Sequence, residues 1–465
     1  MTEATGLADL QARTQTEFGP RLAAQLARLD WDADRLADHQ AERLRTLLAW
    51  AIERSPFHAR RLGHIDPARF ELGDLRRLPT MTKADMMASF NDVVTDRRLT
   101  RRRVEDHLRG RGRQAALLLG DYVCLASGGS SGQRAVFVQT IGEYADHAAS
   151  IMRNPIARLL AAGQSPDGMV IGLVAAAAPV HSTGFFAAAL SGGLARVVSV
   201  PATLPLAKGV ERLNALQPTT LVGYPSKLAE LAGEQRAGRL HIAPQSIGTT
   251  SEMLTGSNRA AITAGFGVPV ANSFACTEGL VGNSEPGGTV FTFATDLCIA
   301  ELVDGAGEPV PAGTPSAKVL ITNLHNLTQP LIRYELTDSF TACPGTEPGS
   351  YLRAAVEGRD DGLFCYRRVS VHPHAIRTVL ASCAAVTEYQ VRQTEHGIDV
   401  AVIVGGNLDQ RALAAALAGG LRQAGLPDPK VTVSVASAIP RHPDTGKARR
   451  FIPIGTDDDA RVEEG

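Results

Sequence analysis

At 465 residues the chain is longer than one ordinary domain, so two or more structural units are expected. Its 44% hydrophobic and 20% charged content is that of a soluble globular protein, and 47 basic against 48 acidic residues leave a net charge of −1. That balance gives no overall pull toward nucleic acid or an anionic membrane. The basic runs Arg97–Arg103 and Arg109–Arg113 lack the interleaved aromatics of a nucleic-acid groove and read as solvated surface. Cys124, Cys276, Cys298, Cys343, Cys365 and Cys383 form no C-x-x-C pair, so reduced thiols and a cytoplasmic location are expected. The first residues lack the apolar centre of a signal peptide. Met169–Val180, the longest apolar run, is too short to span a bilayer and is broken by Gly172 and Pro179.

The section to Asn91 reads as helical. Leu36, Leu44, Leu47, Leu48 and Ile52 recur at three- and four-residue steps, Pro56 stops the run, and Thr82-Lys83-Ala84-Asp85 opens a further helix by its capping pattern. Next come DYVCLA and RAVFVQT, two β-branched, apolar runs that read as paired strands. Between them stand Ser127, Gly128, Gly129, Ser130, Ser131, Gly132, Gln133 and Arg134. Glycines let backbone N–H groups converge on a phosphate, hydroxyls add donors, and Arg134 adds charge. By composition alone the stretch is equally a flexible linker, but its setting makes it a hairpin tip.

From Met169 to Glu278, short apolar strands alternate with helices of ten to thirteen residues, the pattern of a parallel sheet with crossover helices. Ligands collect at the carboxyl ends of such strands, which singles out Gly248–Glu252 and Phe274–Glu278. Residues 289–340 are strand-rich. A smaller unit follows from Asp361, with strands near 363–371, a helix at 373–383, a strand at 398–404, a helix at 408–424 and a strand at 430–436. The acidic end Asp457–Gly465 is expected to be disordered.

Four more motifs follow the loop: Phe274-Ala275-Cys276-Thr277-Glu278, Arg333-Tyr334-Glu335-Leu336-Thr337-Asp338, Gly358-Arg359-Asp360-Asp361 and Thr445-Gly446-Lys447. Singly each has an ordinary explanation: Glu278 a helix cap, Asp338 a turn, Asp361 a loop acid, Lys447 a solvated cation. The five together in this order are hard to explain as coincidence.

With these motifs the chain resembles the adenylate-forming superfamily of acyl-CoA ligases, nonribosomal adenylation domains and luciferases. It is most similar to the phenylacetate-CoA ligase branch, through ERLRTLLAWAIERSPFHARRL, LRRLPTMTKADM, PLIRYELTD and RRVSVHPHAI. The resemblance implies an α/β protein: a large N-terminal domain over 1–360, with parallel sheets, crossover helices and a strand-rich subdomain. A small mobile α+β domain over 361–465 would follow, turning about Asp361.

It also implies ATP and Mg²⁺ as cofactors, with attack of a carboxylate on the α-phosphorus and loss of pyrophosphate. The 127–134 loop would hold the β- and γ-phosphates, Thr277 the α-phosphate, and Glu278 the Mg²⁺. Phe274 would stack on adenine, with Ser251 and Glu252 beside the nucleotide. Asp338 would accept from the ribose hydroxyls, Arg359 would sit near the ribose, and Lys447 would bridge carboxylate and α-phosphate. His181, Phe185, Tyr224, Gly248 and Ala271 lie where the family builds its acid pocket, and an apolar wall with a histidine and aromatics suits a small aromatic acid.

Three departures bear on this. Gln133-Arg134 replaces the family's Lys-Pro, and Phe274-Ala275 its Tyr-Gly. Arg368 stands where a glycine would line the pantetheine tunnel of CoA. The partners implied are therefore a small carboxylic acid and an acceptor: CoA, an amine (an amide synthetase), or nitrite activated for N–N bond formation on an aryl amine. A nucleotide-binding pseudoenzyme is the alternative from another class. The protein would be a monomer or a homodimer, without nucleic-acid or membrane partners.

Overall fold

The computed structural model describes residues 6–110, 114–127, 135–193, 195–346, 349–359, 364–367, 369–371, 373–383, 385–441, 445–448 and 450–454. Among these residues no helix is long and apolar enough to cross a membrane.

The chain begins with helices α1 (Leu7–Leu26), α2 (Ala33–Arg54), α3 (Pro56–Leu62), α4 (Lys83–Ala88), α5 (Phe90–Val93) and α6 (Arg101–Gly110). In α2 the buried face is Leu36, Leu44, Leu47, Leu48 and Ala51; the four leucines follow the predicted spacing, while Ile52 is half-buried and Ala51 takes the inner position. Pro56 opens α3 as well as ending α2. Ser55 closes α2 through its N–H to the Ala51 carbonyl, and its Oγ accepts from the His58 N–H, with Pro56 in the first helical turn where no donor is missed. Thr82 and Asp85 form the expected capping box on α4.

Strands β1 (Tyr122–Ala126) and β2 (Val136–Thr140) pair antiparallel from Tyr122↔Thr140 to Ala126↔Val136, the hairpin read from the sequence. Thr140 caps the long helix α7 (Ile141–Ala161). Then β3 (Met169–Ala175), α8 (Ser182–Leu190), β4 (Ala195–Pro201), α9 (Leu206–Leu216), β5 (Thr220–Gly223), α10 (Pro225–Arg236), β6 (Ser246–Thr250), α11 (Gly256–Phe266) and β7 (Val270–Ala275) alternate as expected. The strands lie parallel in the order β4-β3-β5-β6-β7.

The sheet does not stop there. After β7 the chain turns within five residues, with Cys276 N–H on the Leu280 carbonyl, and so short a link permits only an antiparallel neighbour. Strand β8 (Val281–Ser284) takes that place, followed across the sheet by β9 (Val290–Phe293). The next three strands, β10 (Cys298–Val303), β11 (Lys318–Asn323) and β12 (Tyr334–Leu336), form a separate antiparallel sheet. Strands β13 (Asp338–Ala342) and β14 (Arg353–Arg359) then rejoin the main sheet beyond β9. The strand-rich section thus divides between two sheets, and the main sheet is nine-stranded and mixed.

The last part has its own four-stranded sheet, ordered β19-β18-β17-β20. It comprises, with two helices, β15 (Phe364–Tyr366), β16 (Val369–Val371), α12 (Pro373–Ser382), β17 (Val386–Thr394), β18 (Gly397–Val404), α13 (Gln410–Gln423), β19 (Lys430–Val435) and β20 (Phe451–Ile452). Phe364, Ile376, Leu380, Val391, Leu417 and Leu421 belong to one core between them. Strand β17 is absent from the sequence reading. A register shift between Val386 and Glu388 breaks its period-two pattern, and polar residues interleave with its apolar ones.

One loop, 323–330, joins several of these elements. Strand β2 has β1 on one edge only, while Val136 and Val138 are buried, so their outward backbone groups need other partners. Gln329 supplies them: its Oε1 accepts from Val138 N–H at 2.8 Å and its Nε2 donates to the Val136 carbonyl at 3.3 Å. Asn326 Nδ2 donates to the Val138 carbonyl at 3.1 Å. Two side-chain amides thereby stand in for a third strand. The Glu143 carboxylate, in the first turn of α7, accepts from the N–H groups of Leu327 (2.7 Å) and Thr328 (3.0 Å) and from the Thr328 hydroxyl (2.7 Å). In Gln329→Leu a buried N–H and a buried C=O lose their partner, each at a cost of about 1–3 kcal/mol. A lower urea midpoint than wild type is expected, and an unchanged midpoint would contradict this account of β2.

Candidate active site

The parallel half of the main sheet ends its strands along one edge, and the residues that follow β5, β6 and β7 are Tyr224, Ser251-Glu252 and Thr277-Glu278. Gly248 and Ala271 are Cα partners across β6 and β7, both half-buried, and a Cβ on Gly248 would lie 3.5 Å from Val222. Ser251 is exposed and turns the chain out of β6 with φ +67°, a left-handed conformation that is uncommon for a non-glycine residue.

The turn after β7 is held from outside. Gly279 has φ +120°, and a Cβ there would come within 2.1 Å of Asn323 Nδ2. That amide donates to the Glu278 carbonyl at 2.8 Å, while Asn323 Oδ1 accepts from the N–H groups of His325 and Asn326, both at 3.0 Å. Thr277 and Glu278 are half-buried at this turn. Burial pushes the Cys276 thiol well above its usual range, and the nearby Glu278 and Asp338 carboxylates add to the effect. Both acids therefore act on one thiol although 60 positions of sequence (338 − 278) separate them. Asp338 opens β13, is buried, and is the Cα partner of Arg359 on β14. Phe274 is half-buried, with its ring edge-on to Phe340 at 5.2 Å and Phe293 at 5.9 Å.

Lys447 reaches this edge from the other end of the chain. Residues 441 and 448 form a β-bridge, and the Ala448 N–H bonds to Glu252 in the loop after β6. Gly446, with φ +70°, has Ala202 beside it, 3.0 Å from where a Cβ would be. Lys447 Nζ is 5.8 Å from the Tyr224 ring centroid.

The proposed acid-pocket residues part company. Gly248 and Ala271 sit together, His181 is half-buried just before α8, and Phe185 is sealed in the core with its ring edge-on to Tyr144 at 5.0 Å. Tyr224 is also fully buried; its hydroxyl accepts from the Ala176 N–H at 2.9 Å, and burial raises its pKa. Phe185 therefore offers no surface to a ligand, because helix α8 turns it inward. At the hairpin, Ser127 closes the neck of the loop: its Oγ accepts from Ala135 N–H at 3.0 Å, and its own N–H reaches the Ala135 carbonyl. Gly128, Gly129, Ser130, Ser131, Gly132, Arg134, Asp361, Arg368 and the acidic end lie outside the described residues, as does the Arg359 side chain. Ser226, Asn323 and Arg441, each making polar contacts at this edge, were missed by sequence reasoning, since their partners are tens to hundreds of residues away. A cavity of about 690 Å³ beside β2, lined by Ala84, Met87, Arg101, Leu108 and Arg109 among others, includes none of the strand-end residues.

No family model matches the chain. Phenylacetate-coenzyme A ligase of Thermus thermophilus is 25% identical over 392 residues, which cover 77% of this chain and 78% of the relative. Among solved structures, 2-hydroxyisobutyryl-CoA ligase in the postadenylation state, in complex with R3-HIB-AMP, matches with a TM-score of 0.66. The identity is 18%, over 91% of this chain and 90% of that one. The same ligase with 2-HIB-AMP and CoA, in the thioesterification state, matches with a TM-score of 0.55 at 19% identity, over 91% and 90%. These structural likenesses are of fold.

Behind the Glu278 turn, His325 stacks on His147 of α7 with centroids 6.1 Å apart. Burial, with His325 adding, lowers the His147 pKa to about 3, and burial lowers that of His325 to about 4. On the buried side of α3, burial and then Arg61 lower that of His58 to about 3. All three are neutral in the fold and gain a proton only on unfolding, below the ordinary value of 6.5. The unfolded chain thus binds more protons between pH 6.5 and about 4, and stability falls as pH falls, by up to about 1.4 kcal/mol per pH unit for each histidine. The Glu143 carboxyl, which burial holds above its usual range, acts in the opposite sense. Thermal midpoints are expected to drop between about pH 7 and about pH 4.5, and to drop less steeply in His147→Gln.

Proposed function

Because the chain belongs to the adenylate-forming superfamily, in its phenylacetate-CoA ligase-like branch, we propose that it activates a small carboxylic acid as an acyl-adenylate. In this reaction a carboxylate oxygen bonds to the α-phosphorus of ATP and the bond to pyrophosphate breaks. The observation that carries the reading is the approach of Lys447, from the connection between β19 and β20, to the strand ends where Tyr224 and Glu252 lie.

Two anions must meet in the adenylating step, so the site needs a cation that reaches both. Lys447 is that cation, bridging the acid and the α-phosphate. Thr277 donates to the α-phosphate, and the loop from Ser127 to Arg134 holds the β- and γ-phosphates. Asp338 and Arg359 take the ribose, with Phe274 against the adenine. Glu278, a single carboxylate at a half-buried turn, would be the protein's ligand for Mg²⁺, which would supply positive charge to offset that of the pyrophosphate.

The boundary between the large and small units is proposed to fall at 360/361, with Asp361 as the hinge. The higher TM-score against the postadenylation state than against the thioesterification state of one ligase supports reading the present arrangement as the adenylating one. The acid is proposed to be aromatic. That rests on the likeness to phenylacetate-CoA ligase and on the small side chains Gly248 and Ala271 paired across β6 and β7. CoA is the first acceptor proposed, giving an acyl thioester and AMP. Arg368, in place of a tunnel glycine, favours as a second reading an acceptor other than CoA, an amine or nitrite.

Pyrophosphate release across a panel of aromatic and aliphatic acids, each with and without CoA, an amine or nitrite, tests both steps. Release with at least one acid is expected, and Lys447→Ala should lower it about 10²–10³-fold while leaving ATP binding intact. Absence of release with every acid and nitrite would overturn the adenylating function. Turnover with CoA alone would overturn the second reading.

A further inference from the structure

Glu252 is the residue whose surroundings differ most from the role that resemblance assigns it. Its side chain is only 4% exposed and both of its oxygens are engaged by protein. Oε2 accepts from the Ser226 hydroxyl at 2.6 Å and from the Ser226 N–H at 3.3 Å, at the start of α10. Oε1 accepts from the backbone N–H of Ala448 at 2.8 Å, the residue next to Lys447. Arg441, which bridges to Ala448 across the same segment, donates to the Ser226 hydroxyl at 2.8 Å and to Glu230 of α10 at 2.8 Å. It also lies 3.9 Å from Glu252 and 3.5 Å from Glu388 of β17. Lys227 pairs with Glu230 at 2.9 Å and completes the charged groups named at this junction.

We propose that Glu252 is a positioning residue for Lys447: held in place by Ser226, it grips the Ala448 N–H and, with Arg441, seats the lysine segment on the strand ends. The inference rests on the adenylating function above. The physical argument is one of attachment. A lysine side chain has a long, flexible stem, so the cation is placed only as well as its backbone is held. The backbone at Ala448 is held by a charge-assisted hydrogen bond, shorter and stronger than a neutral one, whose acceptor belongs to the loop after β6. Because Glu252 belongs to the loop after β6, Ser226 and Glu230 to α10, and Ala448 and Arg441 to the last segment, these bonds exist only while the two parts are together. Residues that touch neither acid nor nucleotide therefore decide where Lys447 stands.

Two readouts test this. The first needs no turnover: acetic anhydride labels exposed lysines, and mass spectrometry reads the extent at Lys447. Labelling of Lys447 is expected to rise several-fold in Glu252→Ala and in Arg441→Ala over wild type, with other lysines unchanged. Unchanged labelling would overturn the proposal.

The second readout uses phenylacetate, or whichever acid the panel turns over. Glu252→Ala should lower kcat for pyrophosphate release about tenfold to a hundredfold, as a misplaced group does, with the KM for ATP within about twofold of wild type. Glu252→Gln, which keeps an acceptor for the Ala448 N–H, should fall between the two. Transfer from a supplied acyl-adenylate to the acceptor should be unaffected in both variants. A raised KM for ATP at unchanged kcat would make Glu252 a nucleotide contact instead. Equal loss of both half-reactions would make it merely structural, and either result overturns the proposal. If wild type releases no pyrophosphate while Lys447 labelling responds as expected, the adenylating function fails and the positioning contact stands.

Discussion

The strand-end site depends on the buried polar loop 323–330, because every backbone group it borders must find a partner away from water. Gln329 and Asn326 complete the open edge of β2, Asn323 holds the carbonyl of Glu278, and Glu143 ties Leu327 and Thr328 to the start of α7. The same loop receives the Trp50 indole N–H at the Leu327 carbonyl, the His58 ring at the Pro330 carbonyl and the Thr95 N–H at the Thr328 carbonyl. Helices of the first section, the hairpin that frames residues 128–134 and the turn of Glu278 are thereby set against one another. A partly satisfied network of this kind would cost more than an apolar core, whereas a satisfied one permits a single arrangement.

Sheet topology then decides which residues share the site. Adjacent parallel strands lie about 4.8 Å apart, so the residues that follow β5, β6 and β7 form a row within reach of one ligand. Beyond β7 the sheet turns antiparallel, and β13 returns Asp338 to the neighbourhood of Glu278. The parallel half thus supplies the row and the antiparallel half supplies its far wall. Lys447 closes the arrangement from a segment whose own sheet has a separate core, which makes its position a matter of contacts between parts rather than of either part alone.

Much of the architecture was legible. The α2 face, the Thr82 cap, the β1–β2 hairpin and the alternation from β3 to β7 all follow from local periodicity and turn chemistry. Where reading failed, a tertiary partner had overridden a local signal. Pro56 does end α2, but the helix it also opens went unread, because the serine before it serves two helices at once. Strand β17 was hidden by a bulge, and the division of residues 289–340 between two sheets depends on which strand each one meets. At the site, Phe185 was placed near the ligand by its position in the chain, yet its ring is sealed in the core, whereas the ring of the buried Tyr224 lies 5.8 Å from Lys447 Nζ.

The sequence by itself determined the kinds of element, their order and the motifs that carry the chemistry, because these depend on spacing and on residue type within a few positions. Only the tertiary structure decided which of those residues meet. Glu278 and Asp338 bear on one thiol because the sheet reverses direction after β7, and Glu252 faces Ala448 rather than open space because a distant segment supplies a donor there. Hydrogen bonds between residues some two hundred positions apart leave no trace in local pattern, since nothing in a stretch of sequence records what will be packed against it.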